Sequence, residues 1–413
     1  MLGSRRGIGT RSPDESVNLL CIASYHKGFD FLREARRQGC RVFLVTSASL
    51  RDAPWPVESI DEFFYVEDDQ KRWKLDDLIL GASHLARRID IDRIVPLDDF
   101  DLEKASALRE HLRVPGMGET TTRYFRDKLA MRVKAQDEGL PVPAFVHILN
   151  DEAIRTFCRR VAPPWFLKPR HSAGAIGIRK ISGEDELWSV TDALGDQRSY
   201  YLLEAYVAGD VFHVDSIVYE RQVLAAIPSR YGTPPFDVSH SGGVFTTLLM
   251  DRETAEAQEL CALNARLLGS LGLVRGVSHS EYIRGGDGRF VFLETSARVG
   301  GAHIAELVEA GTGFNMWAEW AKIEVAGGTT PYEAPPMGRD YAGLIVSLAR
   351  QEKPDLGLFT DPEIVWRLDK PHHAGLIVRS PDRVRVESLI ASYVERFRQE
   401  FVAALPPRET PFD

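Results

Sequence analysis

Short apolar runs alternate with amphipathic segments over the first hundred residues. VNLLCIAS, CRVFLVTS and DRIVPLDD are typical of buried parallel strands, and IDEFFYVED indicates a weaker one. Between them, GFDFLREARRQG and WKLDDLILGASHLARRI repeat apolar residues at helical spacing. This alternation predicts a small Rossmann-like α/β domain over residues 17–117, after a tail at residues 1–16. Its first strand ends in ASYHKG, whose single glycine argues against dinucleotide binding and favours a scaffold that contributes to a substrate cleft.

After Gly118 the pattern becomes that of a long helix, ETTTRYFRDKLAMRVKAQDEG. Tyr124, Lys128, Met131 and Ala135 recur at helical spacing and share a stripe that is apolar except for the lysine. Lys128 must therefore either snorkel to solvent or meet an anion, and spacing alone favours snorkelling.

The stretch WFLKPRHSAGAIG, residues 165–177, places Lys168 at the end of a strand and before a loop of small residues. Such residues let backbone N–H groups approach phosphate oxygens closely. They include Ser172, Ala173, Gly174 and Gly177. The loop lacks the GxxxxGK[ST] pattern, so it is not a Walker-type loop, and a glycine-rich hairpin tip explains it equally well when taken alone.

Carboxylates occur on two later stretches that read as strands. In YYLLEAYV, Glu204 shares a face with apolar neighbours and needs a hydrogen-bond donor. If GGDG is the turn of the next hairpin, Glu281 faces Phe292 and becomes a diagonal neighbour of Glu294, roughly 7–8 Å away at the backbone. Two carboxylates at that spacing favour a shared Mg²⁺, and a solvated sheet face is the alternative.

Two further segments suggest substrate contacts. PSRYGTPPFDVSHSGG, residues 228–243, is predicted to be a long functional loop that offers Arg230, Tyr231 and His240. GGAHIAELVEAGTGFNMWAEWA is predicted to be a helical stretch opened by Gly300 and Gly301, with an N-terminus that attracts anions.

Composition narrows the function classes. The net charge is −9, from 51 basic and 60 acidic residues, which argues against a nucleic-acid partner. No apolar run approaches the length of a membrane span, and no signal peptide opens the chain. The four cysteines lie far apart, as expected for buried free thiols in a cytoplasmic protein.

Taken in order, these features resemble the ATP-grasp superfamily, especially its carboxylate–amine ligases and their biotin-carboxylase-like relatives. The order is an α/β domain, a lysine on a helix, a strand with Lys-Pro and a glycine loop, a strand with a glutamate, then two carboxylates and an arginine. The resemblance implies a pre-ATP-grasp domain at 17–117, an ATP-grasp domain at 118–330 with a lid lobe at about 142–207, and a C-terminal part at 331–413. It also implies ATP and Mg²⁺ as cofactors.

The resemblance assigns roles by position. Lys128 and Lys168 correspond to the lysines that contact the α and β phosphates, and residues 172–177 to the lid over them. Glu204 corresponds to the ligand of the adenine amino group. The remaining assignments are the adenine hinge (the main chain of Ala205, Tyr206 and Val207), the Mg²⁺ ligands (Glu281 and Glu294) and the arginine that holds the acyl phosphate (Arg298).

Three positions depart from the family pattern. Val211 stands where relatives carry a ribose-binding glutamate, so Asp210 or His213 is the expected substitute. Ser296 replaces the usual asparagine, which leaves the second metal with fewer protein ligands. Ala205 replaces a second acidic residue of the hinge, with little effect if the backbone makes the contact.

The implied reaction needs no protein nucleophile. A carboxylate, such as an amino acid or another small acid, attacks the γ phosphate of ATP, and an amine then displaces phosphate from the acyl phosphate. Three alternatives are carboxylation through carboxyphosphate, a non-catalytic ATP-binding protein and a nicotinamide dehydrogenase. The missing glycine-rich dinucleotide-binding pattern argues against the last of these. The sequence does not fix the oligomeric state, although relatives are often homodimers.

Overall fold

The computed structural model describes residues 16–68, 73–327 and 330–403. Nearly all of the predicted tail at residues 1–16 and the end of the predicted C-terminal part lie outside the described residues. Among the described residues, none of the helices combines the length and the apolar character that crossing a bilayer requires.

The first part of the chain forms a four-stranded parallel sheet in the order β3-β2-β1-β4. Its elements are β1 Asn18–Ala23, α1 Phe29–Arg37, β2 Arg41–Ser47, β3 Glu62–Val66, α2 Leu75–Leu85, β4 Arg93–Pro96 and α3 Leu102–Leu112. Leu19 and Cys21 enter one hydrophobic core while Leu20 and Ile22 enter another. Because both faces are covered, the strand sequence is apolar throughout.

The middle of the chain forms a small antiparallel sheet in the order β5-β8-β6-β7. The elements of this segment are α4 Glu119–Arg123, α5 Lys128–Asp137, β5 Phe145–His147, α6 Asp151–Arg160, β6 Trp165–Pro169, β7 Arg179–Ile181, α7 Glu184–Leu194 and β8 Tyr201–Ala205. The hairpin β6–β7 carries the glycine loop at its tip, with positive φ at Gly174, Ala175 and Gly177.

The remainder builds an eight-stranded antiparallel sheet in the order β13-β12-β9-β10-β11-β14-β16-β15. Its elements are β9 Gly209–Tyr219, β10 Gln222–Tyr231, α8 Pro235–Ser241, β11 Val244–Leu249, α9 Ala255–Leu271, β12 Gly276–Gly285, β13 Phe290–Ser296, α10 Ile304–Thr312, α11 Met316–Ala326, β14 Tyr341–Leu348, β15 Ile364–Arg367, β16 His373–Ser380 and α12 Arg383–Glu400. Phe31 of α1 packs edge-on against Trp320 of α11, with ring centroids 5.4 Å apart, which joins the parallel sheet to this large one.

The long helix predicted after Gly118 is wrong, because the chain breaks into α4 and α5. The side chain of Asp127 accepts hydrogen bonds from the N–H groups of Leu129 and Ala130 and so caps a new helix. Arg170 also binds the Asp127 carboxylate. Lys128 therefore occupies the first turn of α5, directly beside the loop after β6.

The diagonal register predicted for the β12–β13 hairpin is also wrong. Residue 289 belongs to the turn, where Gly285 N–H donates to the Arg289 carbonyl, and Arg284 pairs with Phe290. A β-bulge then shifts the register between Glu281 and Tyr282, so that Glu281 lies directly opposite Glu294. The two carboxylates are thus closer neighbours than the predicted register made them.

Two other predicted segments differ in extent. The predicted loop at 228–243 begins inside β10 and contains α8, which starts with Pro235 at a first-turn position that suits proline. The predicted single helical stretch after Gly300 is two helices, α10 and α11, and α10 begins only at Ile304. Gly300 and Gly301 therefore lie in a loop ahead of the helix.

Candidate active site

A cavity of about 770 Å³ lies between the parallel sheet, the glycine loop and the loop that follows β13. The loops after β1 and β4 and the start of α1 line it with His26–Asp30 and Leu97–Phe100, at the carboxyl ends of parallel strands where ligands of such sheets bind. The loop 173–177 and the segment 298–303 line other parts of its wall. Aromatic side chains, among them Phe29, Phe245 and Trp317, are part of the lining.

A second, much smaller cavity of about 20 Å³ lies beside the first. Its lining includes Arg126, Lys128, Ser172, His279, Glu294 and Ser296. Three residues, Asp99, Ala173 and Arg298, line both cavities. Of the predicted cation and carboxylate positions, Lys128 and Glu294 thus lie beside the large cavity, and Arg298 lies at the border between the two cavities.

Lys168 and Glu204 form a buried ion pair with a third member that the sequence analysis missed. Glu204 is 1% exposed and binds both Lys168 and the guanidinium of Arg132, which donates from Nε and a terminal nitrogen at 3.1 and 2.9 Å. Burial raises the pKa of Glu204, but the two cations outweigh it, so the net shift is downward. The donor that the strand pattern required for Glu204 is therefore a pair of cations.

Arg132→Met is expected to lower the free energy of unfolding by about 3 kcal/mol, because a buried carboxylate loses one of its two cations. Urea unfolding measures this loss. The exposed Arg160→Met on α6 is the control for the substitution itself. The triple variant that adds Glu204→Met and Lys168→Met should recover much of the stability, since no member of the charged cluster is then left buried without its partner. Equal stability of Arg132→Met and Arg160→Met would contradict a stabilising role for Arg132.

Lys128 meets an anion and does not snorkel. Its side chain is 8% exposed, its ammonium lies 2.8 Å from Glu294 Oε2, and it donates to the Ser172 carbonyl at 2.5 Å. Its backbone N–H donates to the Arg170 carbonyl at 2.9 Å. Lys128 thus joins the start of α5 to the glycine loop and to the carboxylate pair.

Glu281 and Glu294 offer the carboxylate oxygens that Mg²⁺ prefers. Tyr231 donates its hydroxyl hydrogen to Glu281 Oε1 at 2.8 Å, and His279 Nε2 lies 3.6 Å from the same oxygen. Burial raises the pKa of Glu281, but His279 and Tyr231 lower it to about 2, so this carboxylate is ionised. Two facing carboxylates on one hairpin therefore fit a divalent cation.

Ser296 and Arg298 converge on Asp99, a residue that the sequence analysis did not single out. The Ser296 hydroxyl donates to Asp99 Oδ1, and an Arg298 terminal nitrogen lies 3.3 Å from Asp99 Oδ2. Burial raises the pKa of Asp99, but Arg298 and Arg126 lower it to about 2. Asp99 thus orients Arg298 and engages the hydroxyl that was expected at the metal. Its place at the end of an apolar parallel strand is a signal in the sequence.

Several predicted binding residues lie elsewhere. Arg230 and Asp210 pair at 2.8 Å with both side chains more than half exposed, and Arg230 is near Phe212, on the face of the sheet opposite to Tyr231. His213 is fully buried, with its ring nitrogens 2.8 Å from Asp215 and from Thr247. Neither the predicted substrate role of Arg230 nor the ribose role of His213 fits these positions.

The remaining predicted residues stay near the cavities or the lid. His240 lies 3.0 Å from the Ile178 carbonyl through Nε2 and so connects α8 with the loop after β6. The backbone N–H groups of Ala205 and Tyr206 donate to the Ala144 and Pro164 carbonyls. Val207 packs against the hydrophobic core that contains Leu19 and Cys21. Gly300 and Gly301 line the large cavity.

Comparison with known proteins finds the same fold in solved ligases and synthases. A solved L-amino acid ligase from Bacillus licheniformis has a TM-score of 0.70 at 16% identity, covering 94% of this chain and 98% of that one. A carboxyaminoimidazole ribonucleotide synthase from Aspergillus clavatus, complexed with ATP, has a TM-score of 0.70 at 13% identity, covering 93% and 99%. The chain therefore has the ATP-grasp fold, and the resemblance inferred from the sequence is confirmed.

The relatives found by sequence comparison are also ligases. The L-arginine-specific L-amino acid ligase of Bacillus subtilis is 23% identical over 270 residues, which are 63% of this chain and 64% of that protein. A D-alanine–D-alanine ligase of Pseudomonas entomophila is 26% identical over 200 residues, 47% of this chain and 61% of that protein. The match thus spans just under two thirds of each relative. No family model matches the chain.

Proposed function

We propose that the protein is an ATP-dependent ligase that joins a carboxylate to an amine through an acyl phosphate, releasing ADP and phosphate. The observation that carries the proposal is the position of Arg298, which lines both the large cavity and the small cavity that contains Lys128 and Glu294. If a substrate carboxylate binds Arg298, the rest of the substrate can occupy the large cavity while the carboxylate faces Lys128 and Glu294 in the small one.

Two buried lysines, Lys128 and Lys168, suit the negative charge of a nucleoside triphosphate. Lys128 and Lys168 are both less than 10% exposed, and each is held by a carboxylate, so little side-chain entropy remains to be lost on binding. The glycine loop borders both cavities through Ala173 and supplies backbone N–H groups. Glu281 and Glu294 would hold Mg²⁺, which neutralises developing charge on transferring phosphates when it is bound.

The chemistry requires no nucleophile from the protein. The substrate carboxylate forms a bond to the γ phosphorus while the bond to ADP breaks. The amine then adds to the acyl carbon, phosphate leaves, and the nitrogen gives up one proton to the departing phosphate or to water. In this scheme Arg298 orients the carboxylate through charge-assisted hydrogen bonds, with Asp99 fixing its guanidinium plane.

The size of the large cavity favours an organic acid and an amine over bicarbonate, the substrate of the carboxylation alternative. A volume of about 770 Å³ with aromatic lining suits a ligand of drug-like size. Amino acids, which the names of the similar ligases mention, are the first compounds to test.

The domain division proposed here follows the same scheme. The parallel sheet within residues 17–117 supports a pre-ATP-grasp domain, and the β5–β8 sheet supports a lid lobe at about 142–207. The larger sheet draws strands from both 118–330 and 331–413, which supports treating the latter as the C-terminal part of the ATP-grasp region. Homodimer formation and a cytoplasmic location stay predictions.

The test is a screen of amino acids and small acids, singly and in pairs, for ATP-dependent phosphate release, followed by mass analysis of the products. We expect ADP release that depends on a carboxylate and an amide product that depends on an added amine. Bicarbonate-dependent ADP release without an amine would favour carboxylation. Tight ATP binding without ADP release across the screen would favour a non-catalytic binding protein.

A further inference from the structure

Arg126 is a buried cation without a buried carboxylate of its own. It is 5% exposed and lines the small cavity. Among the residues that the structure describes, only Glu103 brings a carboxylate oxygen within 4 Å of its guanidinium, at 3.7 Å from Nε, and the Glu103 side chain is 54% exposed. A buried charge is costly unless a partner compensates it. The sequence analysis assigned no role to Arg126.

Most of the N–H groups of Arg126 are also unused. One terminal nitrogen, Nη2, donates to the His171 carbonyl at 2.5 Å. Its Nε is buried and meets no hydrogen-bond acceptor in the described part of the chain. A guanidinium has five N–H donors, and buried donors in folded proteins nearly always have partners. Arg126 therefore keeps spare donor capacity at the wall of a cavity.

The small cavity carries more positive than negative charge. Besides a histidine, its charged lining side chains are Arg126, Lys128, Arg298, Asp99 and Glu294. Lys128 pairs with Glu294 at 2.8 Å, and Arg298 pairs with Asp99 at 3.3 Å. Arg126 is thus the surplus cation of this cavity, and an anionic ligand would balance it.

Two neutral contacts fix the guanidinium of Arg126. Its Cζ lies 4.9 Å from the centre of the Phe100 ring, which is a cation–π contact. Its hydrogen bond to the His171 carbonyl reaches the residue just before the glycine loop. Arg126 is therefore held between the loop after β4 and the glycine loop, and neither contact neutralises its charge.

We propose that Arg126 is a catalytic residue that binds the phosphoryl group which ATP transfers to the substrate carboxylate. The inference rests on the proposed function, in which this group lies beside Lys128 and Arg298. While the γ phosphorus bonds to the carboxylate oxygen and its bond to ADP breaks, the unused N–H groups of Arg126 donate to the phosphoryl oxygens, and no proton moves. Donors that are held in place beforehand stabilise the negative charge on these oxygens without rearranging.

The test measures nucleotide affinity and turnover of Arg126→Met. The calorimetric Kd for the Mg²⁺ complex of AMP-PNP, an ATP analogue that keeps the γ phosphate, should rise by at least about 10-fold, because a charge-assisted hydrogen bond is lost. The Kd for Mg²⁺-ADP, which lacks that phosphate, should stay near the wild-type value. Carboxylate-dependent ADP release at saturating ATP should fall by roughly 100-fold.

Two further variants control for the substitution. Arg126→Lys keeps the charge but not the planar fork of donors, so it should recover only part of the rate. Arg123→Met removes an exposed arginine from α4, three residues earlier in the chain, and should change neither Kd nor the rate. A rate and an AMP-PNP affinity of Arg126→Met equal to those of Arg123→Met would overturn the proposal.

Stability separates ligand binding from support of the fold. Because Arg126 makes no ion pair with a buried carboxylate, the urea midpoint of nucleotide-free Arg126→Met should stay close to that of the wild type. Mg²⁺-AMP-PNP should raise this midpoint less in the variant than in the wild type, in line with its weaker binding. A much lower midpoint, with equal losses of affinity for ADP and AMP-PNP, would show that Arg126 only supports the fold and would overturn the proposal.

Failure of this inference is distinguishable from failure of the proposed function. If the wild type is active and Arg126→Met is equally active, only the role of Arg126 fails. If the wild type binds AMP-PNP but releases no ADP with any acid, the proposed function fails, and with it the catalytic role of Arg126. The comparison of AMP-PNP with ADP then still decides whether Arg126 contacts the γ phosphate.

Discussion

Glu294→Gln is expected to reduce carboxylate-dependent ADP release by roughly 10²–10³-fold, the range seen when one preorganised group is removed from a charged transition state. The variant halves the carboxylate charge of the Glu281–Glu294 pair and removes the anion that lies 2.8 Å from Lys128. The Mg²⁺ concentration needed for half-maximal rate should rise by at least about 10-fold, since even partners of ligating groups have effects of that size. Steady-state kinetics across a Mg²⁺ titration measures both changes.

The matched control is Glu259→Gln on α9, an exposed glutamate outside both cavities. It should leave the rate and the Mg²⁺ requirement unchanged. A Glu294→Gln protein with a wild-type Mg²⁺ requirement would show that the facing carboxylates do not hold the metal, whatever its rate. The role of Glu294 would then be limited to its ion pair with Lys128.

Sequence patterns were sufficient for elements whose cause is local. The strands β1, β2 and β4 were predicted because apolar runs indicate burial on both faces, and the helices α1 and α2 because apolar residues at helical spacing indicate burial on one face. The break between α4 and α5 was missed because Asp127 looks like an ordinary polar residue inside a helical pattern. Its carboxylate also pairs with Arg170, a contact that is formed only in the folded chain.

The site was predicted as separate pieces, without the contacts that join them. Glu281 and Glu294 were correctly predicted to lie on one side of a hairpin. Their register was not, because the turn is one residue longer than predicted and a bulge follows it, and alternation alone reveals neither. Arg132 lies four residues after Lys128 and so shares its face of the helix, but that spacing does not reveal its partner Glu204, 72 residues away. Contacts of this range leave no periodic trace in one sequence.

Arg298→Ala is expected to reduce ADP release by about 10³-fold, because it removes the guanidinium that borders both the large cavity and the small one. The Mg²⁺ requirement should stay near that of the wild type, in contrast to Glu294→Gln. Arg298→Lys keeps the charge but not the planar fork, so it should recover only a small part of the rate. Hydroxylamine trapping of the acyl phosphate measures the first chemical step directly.

The neighbour of Arg298 provides the sharpest control. Arg298→Ala also removes one of the two arginines that lower the pKa of the buried Asp99 carboxylate to about 2, which by itself disturbs the site. Asp99→Asn, alone and combined with Arg298→Ala, separates the two effects. If Arg298 contacts the substrate, Asp99→Asn keeps most of the activity, and the double variant is as inactive as Arg298→Ala. Equal losses from Asp99→Asn and Arg298→Ala, with full activity restored in the double variant, would mean that the arginine only compensates Asp99.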